Sequence, residues 1–243
     1  MILRRLTTAF RKQDWFTVAV ETLIVVFGVF IGLQVNNWNT ERGERADAKV
    51  VLERLEQDFE QILERADLSL AAHDRFLKAA GRLILGIRNR AFEEEALLDD
   101  IGAASSFTTL PGPSSTFTQL VSSGQLELIR NQELRRALTE YHAYLNFAQS
   151  QYGVTFVTSL AEARQTLMKA TVIKVTNVAT TDFSQYDLPE DVDRNMLLTD
   201  PEMMTTLQVC YGIQDNIYLI NYRTKGQVLA ILAQIRAEQE NAR

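Results

Sequence analysis

Apolar residues recur through most of this chain at spacings of three and four, the period of a helix that packs one face, with charged and polar residues on the other faces. One segment departs from that pattern. From Phe16 to Val35 the chain reads FTVAVETLIVVFGVFIGLQV, apolar nearly all round. As a helix, a run of that length crosses a hydrocarbon core of about 30 Å. Trp15 and Trp38 bracket it, where aromatic side chains anchor at the two membrane interfaces. A cleaved signal peptide has a shorter apolar core and a small-residue cleavage site, whereas Leu33-Gln34-Val35-Asn36-Asn37-Trp38 follows here. The expectation is an uncleaved signal anchor over residues 15–38, preceded by a short basic tail at 1–14 and followed by a soluble helical domain at 39–243.

Two features of this segment bear on association. Glu21 lies inside the apolar run, where an ionisable group is costly. It either snorkels to the nearby interface, is protonated, or faces a partner helix. At 100° per residue, Thr17, Glu21, Gly28, Gly32 and Asn36 share one stripe about 100° wide. Within it, Gly28 and Gly32 form a G-x-x-x-G, which lets two helix backbones approach closely. A small-and-polar stripe opposite a Val/Ile/Phe face predicts self-association or a membrane-protein partner.

Beyond Trp38, the positions Leu52, Leu55, Phe59, Ile62, Ala66, Leu70, His73, Leu77, Ala80, Ile84 and Ile87 predict one long helix over about 44–89, with a stutter at Ala66. Gly102–Ser115 is dense in small and turn-forming residues and reads as a loop. Thr116–Ser123 then reads as a short helix, with Gly124 as the residue that ends it. Asn131 is placed to cap a helix through Leu134, Leu138, Tyr141, Leu145, Ala148 and Tyr152 to about Ala170. Residues 175–199 carry turn chemistry, and Asp200-Pro201-Glu202 starts a last helix to about Gln239. The expected fold is all-α: a transmembrane helix, then an elongated antiparallel bundle of three long helices with short helices between them.

Composition narrows the function classes. A net charge of −6 without a basic stripe argues against nucleic acid. Four prolines and eleven glycines are too few for a strand-and-turn fold. The local positive excess is Arg4, Arg5, Arg11 and Lys12, against Arg42, Arg45 and Lys49 after the span. That slight bias predicts a cytoplasmic N-terminus in an inner membrane, with the domain outside the cytoplasm. The single cysteine, Cys210, rules out an intramolecular disulfide and reads as a buried inert thiol.

Chemistry is sparse. The histidines, His73 and His142, have Leu70 and Thr139 at i−3 rather than the Glu of a di-iron bundle, so no metal or other cofactor is expected. His73 on the apolar seam reads as a hydrogen-bonded core residue. No nucleophile elbow or phosphate-binding loop is present. The acidic runs Glu93-Glu94-Glu95 and Asp99-Asp100 read as solvated faces and caps.

The stretch ETLIVVFGVFIGLQVNNWN, Glu21 to Asn39, resembles the N-terminal signature of an uncharacterised family of bacterial single-pass membrane proteins, in which an apolar helix ends in a Leu-Gln-[Ile/Val]-Asn-Asn-Trp-Asn block. A second similar stretch runs through Phe117, Leu120, Ser122-Ser123-Gly124, Leu126, Ile129, Asn131, Leu134, Leu138 and Tyr141. The resemblance implies membrane attachment and marks Ser122, Ser123, Gly124 and Asn131 as a turn of interest, but it adds no activity. The chain therefore reads as a membrane-anchored interaction or scaffold protein that binds the bilayer and a second copy or another membrane protein, and not as an enzyme. The alternative is a ligand-sensing extracytoplasmic bundle that signals through a partner's membrane helix.

Overall fold

A computed structural model describes residues 15–173 and 189–241; the basic tail at 1–14 lies outside the described residues. Helix α1 spans Trp15–Asn89 without interruption. The sequence pattern left open whether the apolar segment and the 44–89 helix join. They do, because Gly43 costs an exposed helix only about 1 kcal/mol and no proline intervenes. The chain divides into two compact units, residues 1–50 and 51–243. In the first, the helix from Val20 to Val35 is exposed on every side.

Among the described residues the second unit is all-α apart from one short ribbon. After α1 come α2 (Glu94–Ala104), α3 (Ser115–Ser123), a 3₁₀ turn (Leu126–Leu128), α4 (Gln132–Gln151), a π turn (Tyr152–Phe156) and α5 (Val157–Met168). Strands β1 (Thr171–Ile173) and β2 (Pro189–Val192) pair antiparallel, Thr171 opposite Val192, before α6 (Arg194–Thr199) and α7 (Pro201–Asn241). The segment read as turn-rich thus contains a strand and a helix in its last part, both too short for periodicity to reveal.

Most of the boundaries follow from capping. Asn131 Oδ1 accepts from the backbone N–H groups of Glu133 and Leu134, at 2.9 and 3.1 Å, and so satisfies two donors that the first turn of α4 leaves open. Asp200 Oδ1 accepts from Glu202 N at 2.8 Å, with Pro201 opening α7. Gly124 ends α3 at φ +69°, with Gln125 N donating to Leu120 O at 2.9 Å, the left-handed termination glycine permits at no steric cost. Helix α1 ends in the same motif on Arg90 at φ +54°, where Ala91 N donates to Gly86 O at 3.0 Å. The turn folds Phe92 back over Gly86, where an added Cβ would lie 2.3 Å from its ring.

Two apolar clusters fill the unit. One joins Leu55, Phe59 and Ile62 of α1 to Phe117, Leu138, Tyr141 and Leu145, and to Val228, Ile231 and Ile235 of α7. The other joins Ala80 and Leu83 to Leu97, Ile101, Leu160, Leu167, Leu207, Cys210 and Ile217. Along α1 the buried polar residues Ser69 and His73 fall between the clusters, and along α7 Asn221 and Thr224 do so. The seam beyond Ala66 therefore passes through Ser69, not Leu70 as the apolar spacing suggested. A step of three after the step of four restores the heptad phase, and it turns a polar side chain inward. Pairings between α1 and α7 run from Glu56 with Arg236 and Asp67 with Lys225 to His73 with Gln214 and Gly81 beside Tyr211.

Candidate functional site

In the first unit, Glu21, Gly28, Gly32 and Asn36 lie on one exposed helix. An added Cβ at Gly28 or Gly32 would meet nothing within 4 Å, so these glycines are not there to admit a neighbour from the described chain. Val20 to Val35 leave their large apolar side chains 39–66% exposed. Trp38 is also exposed, with the Arg42 guanidinium 5.9 Å from its ring centre, and Trp15 opens the helix. One helix near the N-terminus is long and apolar enough to cross a membrane, and none of its apolar window is buried.

In the second unit, the turn singled out from the sequence spends its polar groups on its own helix ends. Ser122 Oγ donates to Gln119 O at 2.9 Å, and Ser123 Oγ to Gln125 Oε1 at 3.1 Å. Beyond its capping bonds, Asn131 donates through Nδ2 to Glu238 Oε2 at 3.1 Å, tying α4 to the far end of α7. These residues are brought together as a structural corner.

The denser polar arrangement is one that periodicity did not disclose: the loop of residues 105–114 is held from four directions. Gln214 Nε2 on α7 donates to Ala104 O and Ser106 O at 3.2 and 2.8 Å. Gln214 Oε1 then faces His73 Nδ1 at 2.7 Å; since the amide's donors are used, His73 is the donor and carries its proton on Nδ1. Tyr152 Oη donates to Thr108 O, and Tyr141 Oη to Gly112 O at 3.3 Å. At the loop's end, Asp58 of α1 accepts from Ser114 Oγ at 2.8 Å, Thr116 N at 2.8 Å and Ser115 Oγ at 3.1 Å. Ser114 in turn caps α3 by accepting from Phe117 N at 3.1 Å.

Electrostatics follow from this burial. Burial pushes His73 below its ordinary 6.5, outweighing the opposing pull of Gln214 and of the Thr108 backbone. Burial also pushes Tyr152 and the Cys210 thiol up to about 12, so that Cys210 is inert at neutral pH. Burial raises Asp58, but the Thr116 N–H and the hydroxyls of Ser114, Thr116 and Ser115 together bring it below its ordinary 3.8. Asp100 corrects the solvated-face reading: it is buried, and Arg82 donates to both its oxygens at 2.8 and 2.5 Å. Sequence spacing could not show this, because Arg82 lies on a different helix. Among the described residues no three His, Cys, Asp or Glu side chains gather where a metal ion could sit.

Asp58→Ala should destabilise the domain by about 1–3 kcal/mol, the cost of stranding partly buried donors. Because its folded pKa is depressed, Asp58's contribution is fully present above about pH 3.8 and is lost as pH falls through the folded value. Denaturant titrations of wild type and variant should therefore differ at neutral pH and draw together only as pH falls below 3.8 and through the folded value.

Residues 21–201 match the model of a family of unknown function, DUF6090. The chain belongs to that family. The match begins at Glu21 in the exposed apolar helix, takes in the 105–114 loop and the Ser122–Asn131 corner, and ends at Pro201, where α7 begins. Family membership assigns no activity to any of these residues. No curated protein and no solved structure matches the chain.

Proposed function

We propose that this chain is a membrane-anchored interaction protein, with residues 15–38 spanning a bacterial inner membrane and the helical domain outside the cytoplasm. The observation that carries the reading is the uncovered apolar helix: from Val20 to Val35 every large apolar side chain is exposed. Burying a single Val, Leu, Ile or Phe is worth about 1.5–3 kcal/mol, so in water such a helix would be a severe liability. Lipid covers it, and the stripe of Glu21, Gly28, Gly32 and Asn36, open around both glycines, is suited to a second helix.

The domain then acts as an elongated antiparallel bundle of three long helical stretches, a reading supported by the opposed order of the α1–α7 pairings. Between α1 and α7 runs an open groove lined by Leu63, Leu68, Leu229 and Leu232, with Glu60, Glu64 and Asp67 along its rim. It is a second surface on which a partner could pack. The sensor alternative draws on the continuity of α1 from the apolar segment into the domain.

Replacing both Gly28 and Gly32 by Ile should abolish crosslinking between copies within the membrane, since the added side chains hold the backbones apart. A crosslinked species that persists unchanged would show that the stripe is not the interface. A dual alkaline phosphatase and fluorescent reporter fused after Arg243 tests the topology. Phosphatase activity without fluorescence is the expected outcome, and the reverse would put the domain in the cytoplasm.

A further inference from the structure

We propose that His73 is a proton-operated latch whose protonation releases the first half of the 105–114 loop from α7. The inference is independent of the membrane reading above. The His73 ring is completely buried; its Nε2 makes no hydrogen bond of ordinary geometry, although the Thr108 backbone is near enough to act on the ring. Through Nδ1 it fixes the orientation of Gln214, the side chain that holds two carbonyls at the start of the loop. A second proton would have to sit on Nε2 and would place a full charge in a buried site.

Among the described residues no carboxylate is hydrogen-bonded to the ring; Gln214 and the Thr108 backbone favour its charged form, but burial outweighs them. On its own helix, Phe76 lies edge-on at 5.4 Å, and the nearest ion pair, Asp74 with Lys78, is on the exposed surface. On α7, Gln214 is neutral, Cys210 one turn away stays a thiol, and Asp215 is exposed. The loop carries no titratable side chain, and Tyr152, which donates to Thr108 O, stays a phenol.

The ring's proton is therefore stabilised by opening. Water reaches the imidazole when the Gln214 tie parts, and both loop carbonyls go with it. Tyr152 holds the Thr108 carbonyl, and Tyr141 and Asp58 hold the far end of the loop, by bonds that do not involve His73, so opening starts at residues 105–107 and does not pass Leu110. The sign follows from the depressed folded value: the closed state is fully stable above about pH 6.5 and weakens as pH falls below it.

The test is amide hydrogen exchange on the full chain in lipid nanodiscs at pH 7.5 and 5.5, corrected for the intrinsic chemical rate. Protection at 105–110 should fall several-fold at the lower pH in wild type. It should stay constant in His73→Asn, which keeps a donor near the Nδ1 position but cannot take up a proton. Equal protection at both pH values in wild type, or the same pH-dependent loss in the variant, overturns the latch. If His73→Asn does not fold, the imidazole titration of wild type by NMR decides. A midpoint below 6.5 that coincides with loop opening supports the latch, and a midpoint at or above 6.5, or one that does not coincide, overturns it.

Discussion

Phe59→Ala should destabilise the helical domain by about 3–5 kcal/mol, the range for emptying a large aromatic site in a packed core. Phe59 is fully buried, and its ring meets Tyr141 edge-on at 5.3 Å between centroids. It sits where α1 packs with α4 and α7 in the first apolar cluster, so several elements line the space it would vacate. Helices fixed by neighbours on several sides relax little into a void, which puts the cost toward the upper end. In a domain of this size that corresponds to a fall in Tm of roughly 6–20 °C. Thermal and urea unfolding followed by circular dichroism would check it; a loss under 1 kcal/mol would mean that the cluster is not packed as described. The same loss should free Tyr141, whose hydroxyl holds the Gly112 carbonyl, so faster exchange near residue 112 should accompany it.

Gln214→Leu should cost about 3 kcal/mol although it keeps the side chain's volume and increases its apolarity. Three partners are stranded at once: Ala104 O, Ser106 O and the Nδ1–H of His73. Each buried polar group left without a partner costs about 1–3 kcal/mol, and the added apolar contact offsets part of that. The signature is local as well as global. Amides at 105–110 should lose protection at every pH, whereas the α3 cap on Asp58 should stay protected. A neutral or stabilising result would mean that the loop does not depend on α7.

How far the chain could be read in advance varied by element, and for identifiable reasons. Trp15–Asn89, α4 and α7 were legible because each carries a long stretch of apolar positions at helical spacing. Gly124, Asn131 and Asp200-Pro201 were legible because capping is a local bond between near neighbours. Helix α2 was missed because it is short; the glutamates read as a solvated face and cap are exposed, with Glu93 at its N-cap position, Glu94 and Glu95 in its first turn and Glu94 paired with Arg194. The π turn at Tyr152 was invisible, since one extra residue in a helical turn leaves the spacing on either side intact.

The exposed apolar helix and its stripe follow from the sequence alone, because a run that is apolar all round cannot be covered by one amphipathic neighbour. The helical class and most helix ends follow from it as well, being set by interactions within a few residues of one another. The inward turn at Ser69, the burial of Asp100 on Arg82, the Asp58 cap and the His73–Gln214 tie were decided by the tertiary structure. The last three join residues far apart in the chain, from 18 positions for Arg82 and Asp100 to 141 for His73 and Gln214. Which polar residue finds a buried partner depends on how whole helices pack, and no local pattern records that.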